Sequence, residues 1–302
     1  GVDFSALSDV SFSNATLSGF SGHGVDLSDA RHAFLRDITI EASGDDAIHI
    51  GGPAHDVSLV NITARNAGRD GINIGGTDIH TVEMKTITIE NPGRHGVHVT
   101  GGNMRGISLL DGDVDNPGGH GLYFTGSIAR SLVGSVEINN AVESGLFLEN
   151  AVRNSRFRGL TIRDCGRHAV RLDGQSVRHN QIYQTFQGNE FFVFPFDAYT
   201  GSQNGYGLLL EGGAAFNIIA PGTVANNAAG GIALRGAETS GNVIGPRGSR
   251  AVINPELTHV FDNDGHGVHL SGGASGNRFH LLNVAGNQGD GVRVEGADSD
   301  AN

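Results

Sequence analysis

Two aspartates stand side by side in SGDDAIHIGG, Ser43 to Gly52, and His49 follows the second by three residues. One step along the chain comes GRDGINI, with Arg69, Asp70 and Asn73. Then come GRHGVHV, with Arg94, His95 and His98, and GGHGLYF, with His120 and Tyr123. Two carboxyl groups brought to ~5 Å or to ~6.5–9.5 Å are what retaining and inverting glycoside hydrolysis require. Crowding raises the pKa of one acid and makes it a proton donor. The histidines offer general acid–base chemistry near neutral pH. A histidine and a tyrosine across a sugar ring suit removal of a C5 proton from one face and its return on the other. Arg69 or Arg94 would neutralise the uronate carboxylate that makes this proton acidic. The bland alternatives are that the aspartates cap turns with their own backbone, and that x-H-G is simply a favoured turn, since GHG also occurs at Gly22–Gly24 and Gly265–Gly267.

These residues sit in a repeat. A small residue followed by an apolar-x-apolar strand recurs eleven times, beginning at Gly24, Ala47, Gly71, Gly96, Gly121, Gly145, Ala169, Gly207, Gly231, Gly267 and Gly291. Most steps are 23 to 25 residues; two are 38 and 36, before Gly207 and Gly267. Each unit carries a second alternating run, such as VSLVNITA, with Asn, Gly and Asp between the runs as turns require. No segment has a helical period. A propeller blade needs about 40 residues or more, and the leucine-rich frame is missing. The period predicts an all-β, right-handed parallel β-helix of about eleven coils of ~24 residues, one domain over 1–302.

Coils stack at ~4.8 Å, so equivalent positions form columns. The middle residue of each short strand points outward, giving Asp26, His49, Asn73, His98, Tyr123, Phe147, Arg171, Leu209, Ala233, His269 and Arg293. Two residues before each strand a second column reads His23, Asp46, Asp70, His95, His120, Ser144, His168, Tyr206, Gly230, His266 and Asp290. Rungs two to five therefore share one polar face, whereas Phe147, Leu209 and Ala233 point to a covered one. The catalytic candidates are Asp46, His49, Asp70, His95, His98, His120 and Tyr123. The substrate-binding candidates are Asp45, Arg69, Asn73, Arg94, Arg167 and Arg171. His95, His98 and His120 would also suit zinc, although the ladder would give that spacing without a metal.

Composition narrows the classes. Glycine is 48 of 302 residues, more than twice ordinary usage, without a collagen period. A formal charge of −12 argues against a general nucleic-acid binder. Lys85 is the only lysine among 20 basic residues, and the arginines from Arg153 to Arg178 form the best patch for a polyanion. Cys165 is the single cysteine, so no intrachain disulfide forms, and a buried small residue is the simplest reading. No run is long and apolar enough to span a membrane. Gly1 opens in mid-pattern, as an excised or processed chain would.

The repeat resembles the right-handed parallel β-helix superfamily of pectin- and alginate-active enzymes, phage tailspikes and surface proteins. GDDAIHI is similar to the GDDCIAI-type motif of polygalacturonases, with His23 where their preceding rung has an aspartate and Asp70 where the next has a histidine. GRDGINI and GRHGVHV resemble consecutive rungs of alginate C5-epimerases, with DDAIHIGG where a D-P-H motif would stand. The resemblance implies an extracellular protein, secreted or at a bacterial-type cell surface, modifying an acidic polysaccharide by C5-epimerisation or β-elimination. Related lyases commonly use calcium with a lysine or arginine base, so Ca2+ is the one cofactor it implies. A glycoside hydrolase and a non-catalytic surface or adhesin solenoid stand as alternatives.

The insertion at about 183–206 holds six aromatics besides Tyr183 and Tyr206. Substrate wall, homo-oligomer contact and self-packed flap are its three readings. A longer coil spans about 244–262.

Overall fold

The computed structural model describes residues 1–183, 198–200, 205–220, 222–245, 257–299 and 302. Most of the aromatic insertion, and with it the oligomer contact expected there, lies outside the described residues, as do residues 246–256 of the longer coil. All described elements are strands, and their pairings are parallel. No helix is long and apolar enough to cross a membrane among the described residues. The chain divides into two compact units, Gly1–Glu143 and Ser144–Asn302.

In the first unit the short strands stack in the expected register. Val25, Ile48, Ile72, Val97 and Leu122 align, as do Asp26, His49, Asn73, His98 and Tyr123. A further copy missing from the sequence reading, Val2–Asp3, pairs with Val25–Asp26 and starts the stack one coil earlier. Alternation buries Ile48, Ile50, Ile72, Ile74, Val97 and Val99 inside the coil. Each is worth roughly 1.5–3 kcal/mol when fully buried. Opposite them lie Ile40, Ile62, Ile87 and Ile89 of the long strands Arg31–Ser43, His55–Arg65 and His80–Glu90. Midway, those strands bend at left-handed residues in matching positions, Asp37, Asn61 and Thr86, with φ of 54°, 53° and 55°. The small residue before each strand is a steric requirement. A Cβ on Gly96 would lie 2.5 Å from the carbonyl oxygen of Gly121 and 2.4 Å from Val114.

In the second unit Leu146, Val170, Leu208, Ile232, Val268 and Val292 align in the same way. Here the coils are also stitched by buried asparagines. The side-chain oxygens of Asn180, Asn217, Asn242 and Asn277 each accept the backbone N–H of the preceding coil's partner. The outward Phe147, Leu209 and Ala233 are buried. Cys165 is buried, and its Sγ donates to the Arg163 carbonyl at 3.7 Å.

Candidate functional site

The polar face of the first unit is built by two columns with different duties. At the turn before each strand, the side chain accepts the backbone N–H of its counterpart in the next coil. Asp70 donates to Asp46 Oδ1 at 3.0 Å, His95 to Asp70 Oδ1 at 3.0 Å, and His120 to His95 Nδ1 at 3.0 Å. The second unit repeats the device with His168, which accepts from Tyr206, and His266, which accepts from Asp290. An aspartate or histidine before the small residue therefore stitches coils together, whatever else it does. This is the physical content of the recurrent x-H-G.

Asp70 does more than stitch. It is fully buried and gathers a set of donors around its two oxygens. Arg94 Nε reaches Oδ1 at 2.8 Å, and Arg94 Nη2 closes the bidentate pair on Oδ2. Asn73 Nδ2 stands 3.0 Å and His98 Nδ1 3.1 Å from Oδ2. Burial alone would raise its pKa, but the hydrogen bonds from Arg94, His98 and the His95 backbone outweigh it and hold the carboxyl well below the ordinary 3.8. Asp70 is therefore an ionised acceptor.

The two histidines beside it turn their Nδ1 atoms to different partners. An ionised Asp70 only accepts, so His98 Nδ1 can donate to it at 3.1 Å, while Arg94 Nη2 reaches the same nitrogen at 3.2 Å; the Nδ1–H tautomer leaves the lone pair on Nε2. That Nε2 is buried and has no hydrogen-bond partner. His95 accepts a backbone N–H at Nδ1, so its proton sits on Nε2. Burial, partly opposed by Asp70 and reinforced by the charge of Arg94, pushes its pKa down to about 4. The two rings meet edge to face at 5.0 Å. His120 stacks on His95 at 5.2 Å, and Tyr123 on His98 at 5.0 Å with an interplanar angle of 3°. This stack leaves no room for a sugar ring between His98 and Tyr123, so the expectation of a histidine and a tyrosine on opposite sides of a ring does not hold for this pair.

One rung earlier, Asp46 is buried with its Oδ2 facing His49 Nδ1 at 3.4 Å and His23 Nδ1 at 3.6 Å. His49 is raised above the ordinary 6.5, first by Asp46, against the opposing effect of burial. Asp45 pairs with Arg69 at 3.0 Å. Both arginines assigned to a substrate carboxylate are thus engaged by carboxylates of the protein itself. Arg167 and Arg171 belong to the second unit. Arg171 bonds Glu211 at 2.8 Å and Asp173 at 2.7 Å and lies over the Phe147 ring at 4.7 Å. His23 was missed as a site residue. Its signal was a histidine in the turn column one rung before Asp46.

No curated protein and no solved structure matches the chain significantly. The family described as the right-handed beta helix region matches residues 46–219, more than half of the 302 residues and including every candidate site residue except Asp45. The parallel register, the coil repeat and this match agree, and the chain belongs to the right-handed β-helix family.

Proposed function

We propose that the first unit acts on uronate residues of an acidic polysaccharide outside the cell, taking the C5 proton and expelling the O4 substituent by β-elimination. The observation that carries this reading is the placement of His98 Nδ1 on Asp70 and of His95 Nδ1 under the His120 N–H, beside the Asp70–Arg94 pair, which suits a base lone pair on His98 Nε2 and a neutral N–H on His95. His98 Nε2, covered in the chain without substrate, is uncovered by a small turn of the His98 and Tyr123 rings and takes the proton from C5, and the electron pair moves into the carboxylate as an enolate. His95 Nε2–H donates to the oxygen where charge grows, helped by the field of Arg94. The C5–C4 double bond then forms, the C4–O4 bond breaks, and Tyr123 or His120 supplies the proton to O4. All these groups share one wall. That favours elimination over epimerisation, which needs a donor on the opposite face of the ring. A hydrolase using Asp70 as its acid is disfavoured, because Asp70 is held ionised.

The test is incubation with alginate, pectate and glycosaminoglycans in heavy water, with and without calcium. Absorbance of unsaturated uronate, reducing ends and deuterium at C5 are read together. Unsaturated ends support the reading. Deuterium without cleavage would move the assignment to epimerisation. Reducing ends without unsaturation, or silence on every substrate from folded protein, would overturn it.

A further inference from the structure

We infer that His23, Asp46 and His49 form a binding site for one divalent transition-metal ion of the zinc class. The inference does not depend on the reaction proposed above. One ligand atom from each of His23, Asp46 and His49 lies within 4.8 Å of the other two. His23 Nδ1 and His49 Nδ1 stand close to Asp46 Oδ2, at 3.6 and 3.4 Å. Two ligands held at about 2.1 Å by a tetrahedral ion are roughly 3.4 Å apart, so the spacing is that of a shared ion rather than of hydrogen bonds. All three atoms are buried and none has a hydrogen-bond partner. Neutral Nδ1–H tautomers of the two histidines would both have to donate to the single Oδ2, at 3.4 and 3.6 Å, too long for well-formed hydrogen bonds. A dication satisfies all three atoms at once.

The surroundings fit a metal site. Asp46 is oriented through Oδ1 by the backbone N–H of Asp70 at 3.0 Å, which leaves Oδ2 for the ion. The far nitrogen of His23 faces the Asp45 carboxylate at 3.7 Å, where metal-bound histidines keep an outer carboxylate. Two imidazoles and one carboxylate select zinc and its neighbours over calcium or magnesium, which take oxygen ligands. Both rings are about one-quarter exposed, which leaves a fourth position to water. The rings stack at an interplanar angle of 11°, so binding tilts them apart until the ion lies in both planes. The neighbouring group of Asp70, His95 and His98 has similar ligand types and the opposite character. There Arg94 already supplies the cation, and His95 Nδ1 is taken by the His120 N–H.

The test uses the full chain without a histidine tag, stripped with chelator and titrated with Zn2+ alone by calorimetry, with a melt at each concentration. One ion per chain with Kd below about 1 μM and a raised Tm are expected. Asp46→Asn keeps the Oδ1 acceptor and removes the ligand, and His49→Gln removes a second. Each should weaken zinc by about 100-fold or more, whereas His95→Asn should not change it. Circular dichroism checks that the variants are folded. Affinity undiminished in both Asp46→Asn and His49→Gln, no binding at ~100 μM zinc, or calcium preferred to zinc would each overturn the inference.

Discussion

The pair His95/His98 in GRHGVHV has a near copy in the second unit, His266/His269 in GHGVHL. The rings meet at 5.0 Å and 61° in one and at 5.3 Å and 64° in the other. In both, the first histidine accepts a backbone N–H at Nδ1. The difference lies in what faces the second. His98 turns Nδ1 to a buried aspartate locked by an arginine and leaves Nε2 without a partner. His269 spends Nε2 on Glu295, which is 44% exposed and shared with Arg293, and leaves Nδ1 buried. The same turn and strand thus produce the proposed base in one place and an ion-pair member in the other. What separates them is an aspartate one coil back, where the second unit has Gly230.

The comparison breaks most sharply on activity. His98→Gln should lower the rate of C5 proton removal by about 10²–10⁴-fold, the usual worth of a positioned general base. Asp70→Asn should follow it, because His98 Nδ1 loses its carboxylate acceptor. His269→Gln should leave turnover unchanged. The readout is unsaturated product and C5 deuterium under matched conditions. Equal losses in the His98 and His269 variants would show that both pairs are structural and that the site is elsewhere.

A second contrast concerns the ladders. Asn66, Asn91, Asn116 and Asn140 form an exposed chain of side-chain bonds at 3.3, 3.0 and 3.1 Å, each residue left-handed with φ between 51° and 56°. The ladder through Asn217 is buried. Asn217 accepts from the backbone and side chain of Asn180 and donates to Val177 O and Asn242. Asn217→Ala strands several buried groups and should cost about 3 kcal/mol or more, since each unpaired group costs about 1–3 kcal/mol. Asn91→Ala should cost about 1–2 kcal/mol through backbone conformation, and Asn91→Gly should be nearly neutral. Hydrogen exchange resolved by unit, rather than a single melt, is the measurement, because a solenoid need not unfold as one body. An Asn91→Gly loss as large as that of Asn217→Ala would mean that the exposed ladder holds by its hydrogen bonds.

The strands, the columns and their register were legible because alternation and coil length fix them without knowledge of any rotamer. Asp46, Asp70, His95 and His98 therefore fell on adjacent rungs from sequence alone. What escaped was everything set by side-chain torsions between coils. Arg94 lies 24 residues from the carboxylate it clasps, and its engagement follows from the stacked turn, not from any local motif. The stacking of Tyr123 on His98, which rules out a ring between them, was illegible for the same reason. His23 was hidden differently, as one GHG among several, until its ring was seen over His49. Val2–Asp3 escaped because one strand at the start of the chain shows no period of its own.

The smallest expected effect is also the most local. His95 in the first unit and His168 in the second are both pushed down to about 4, chiefly by burial. Between pH 6.5 and 4 the unfolded chain binds protons that the folded chain refuses, so each histidine reduces stability as pH falls through that window, and the loss levels off below 4. The slope is at most about 1.4 kcal/mol per pH unit for each, lessened by solvent screening at these partly exposed rings. Asp70 acts in a separate window, since its depressed pKa keeps its contribution intact until the pH falls below 3.8. Protonating His95 removes the acceptor of the His120 N–H, and protonating His168 that of Tyr206. Exchange at those two amides, corrected for the intrinsic pH dependence, should accelerate as pH falls from 7 to 5. His95→Asn retains an acceptor that does not titrate, so it should flatten the response at His120 and leave Tyr206 as it was. A His120 amide whose protection ignores pH in the wild type would show that His95 does not hold it through a neutral ring.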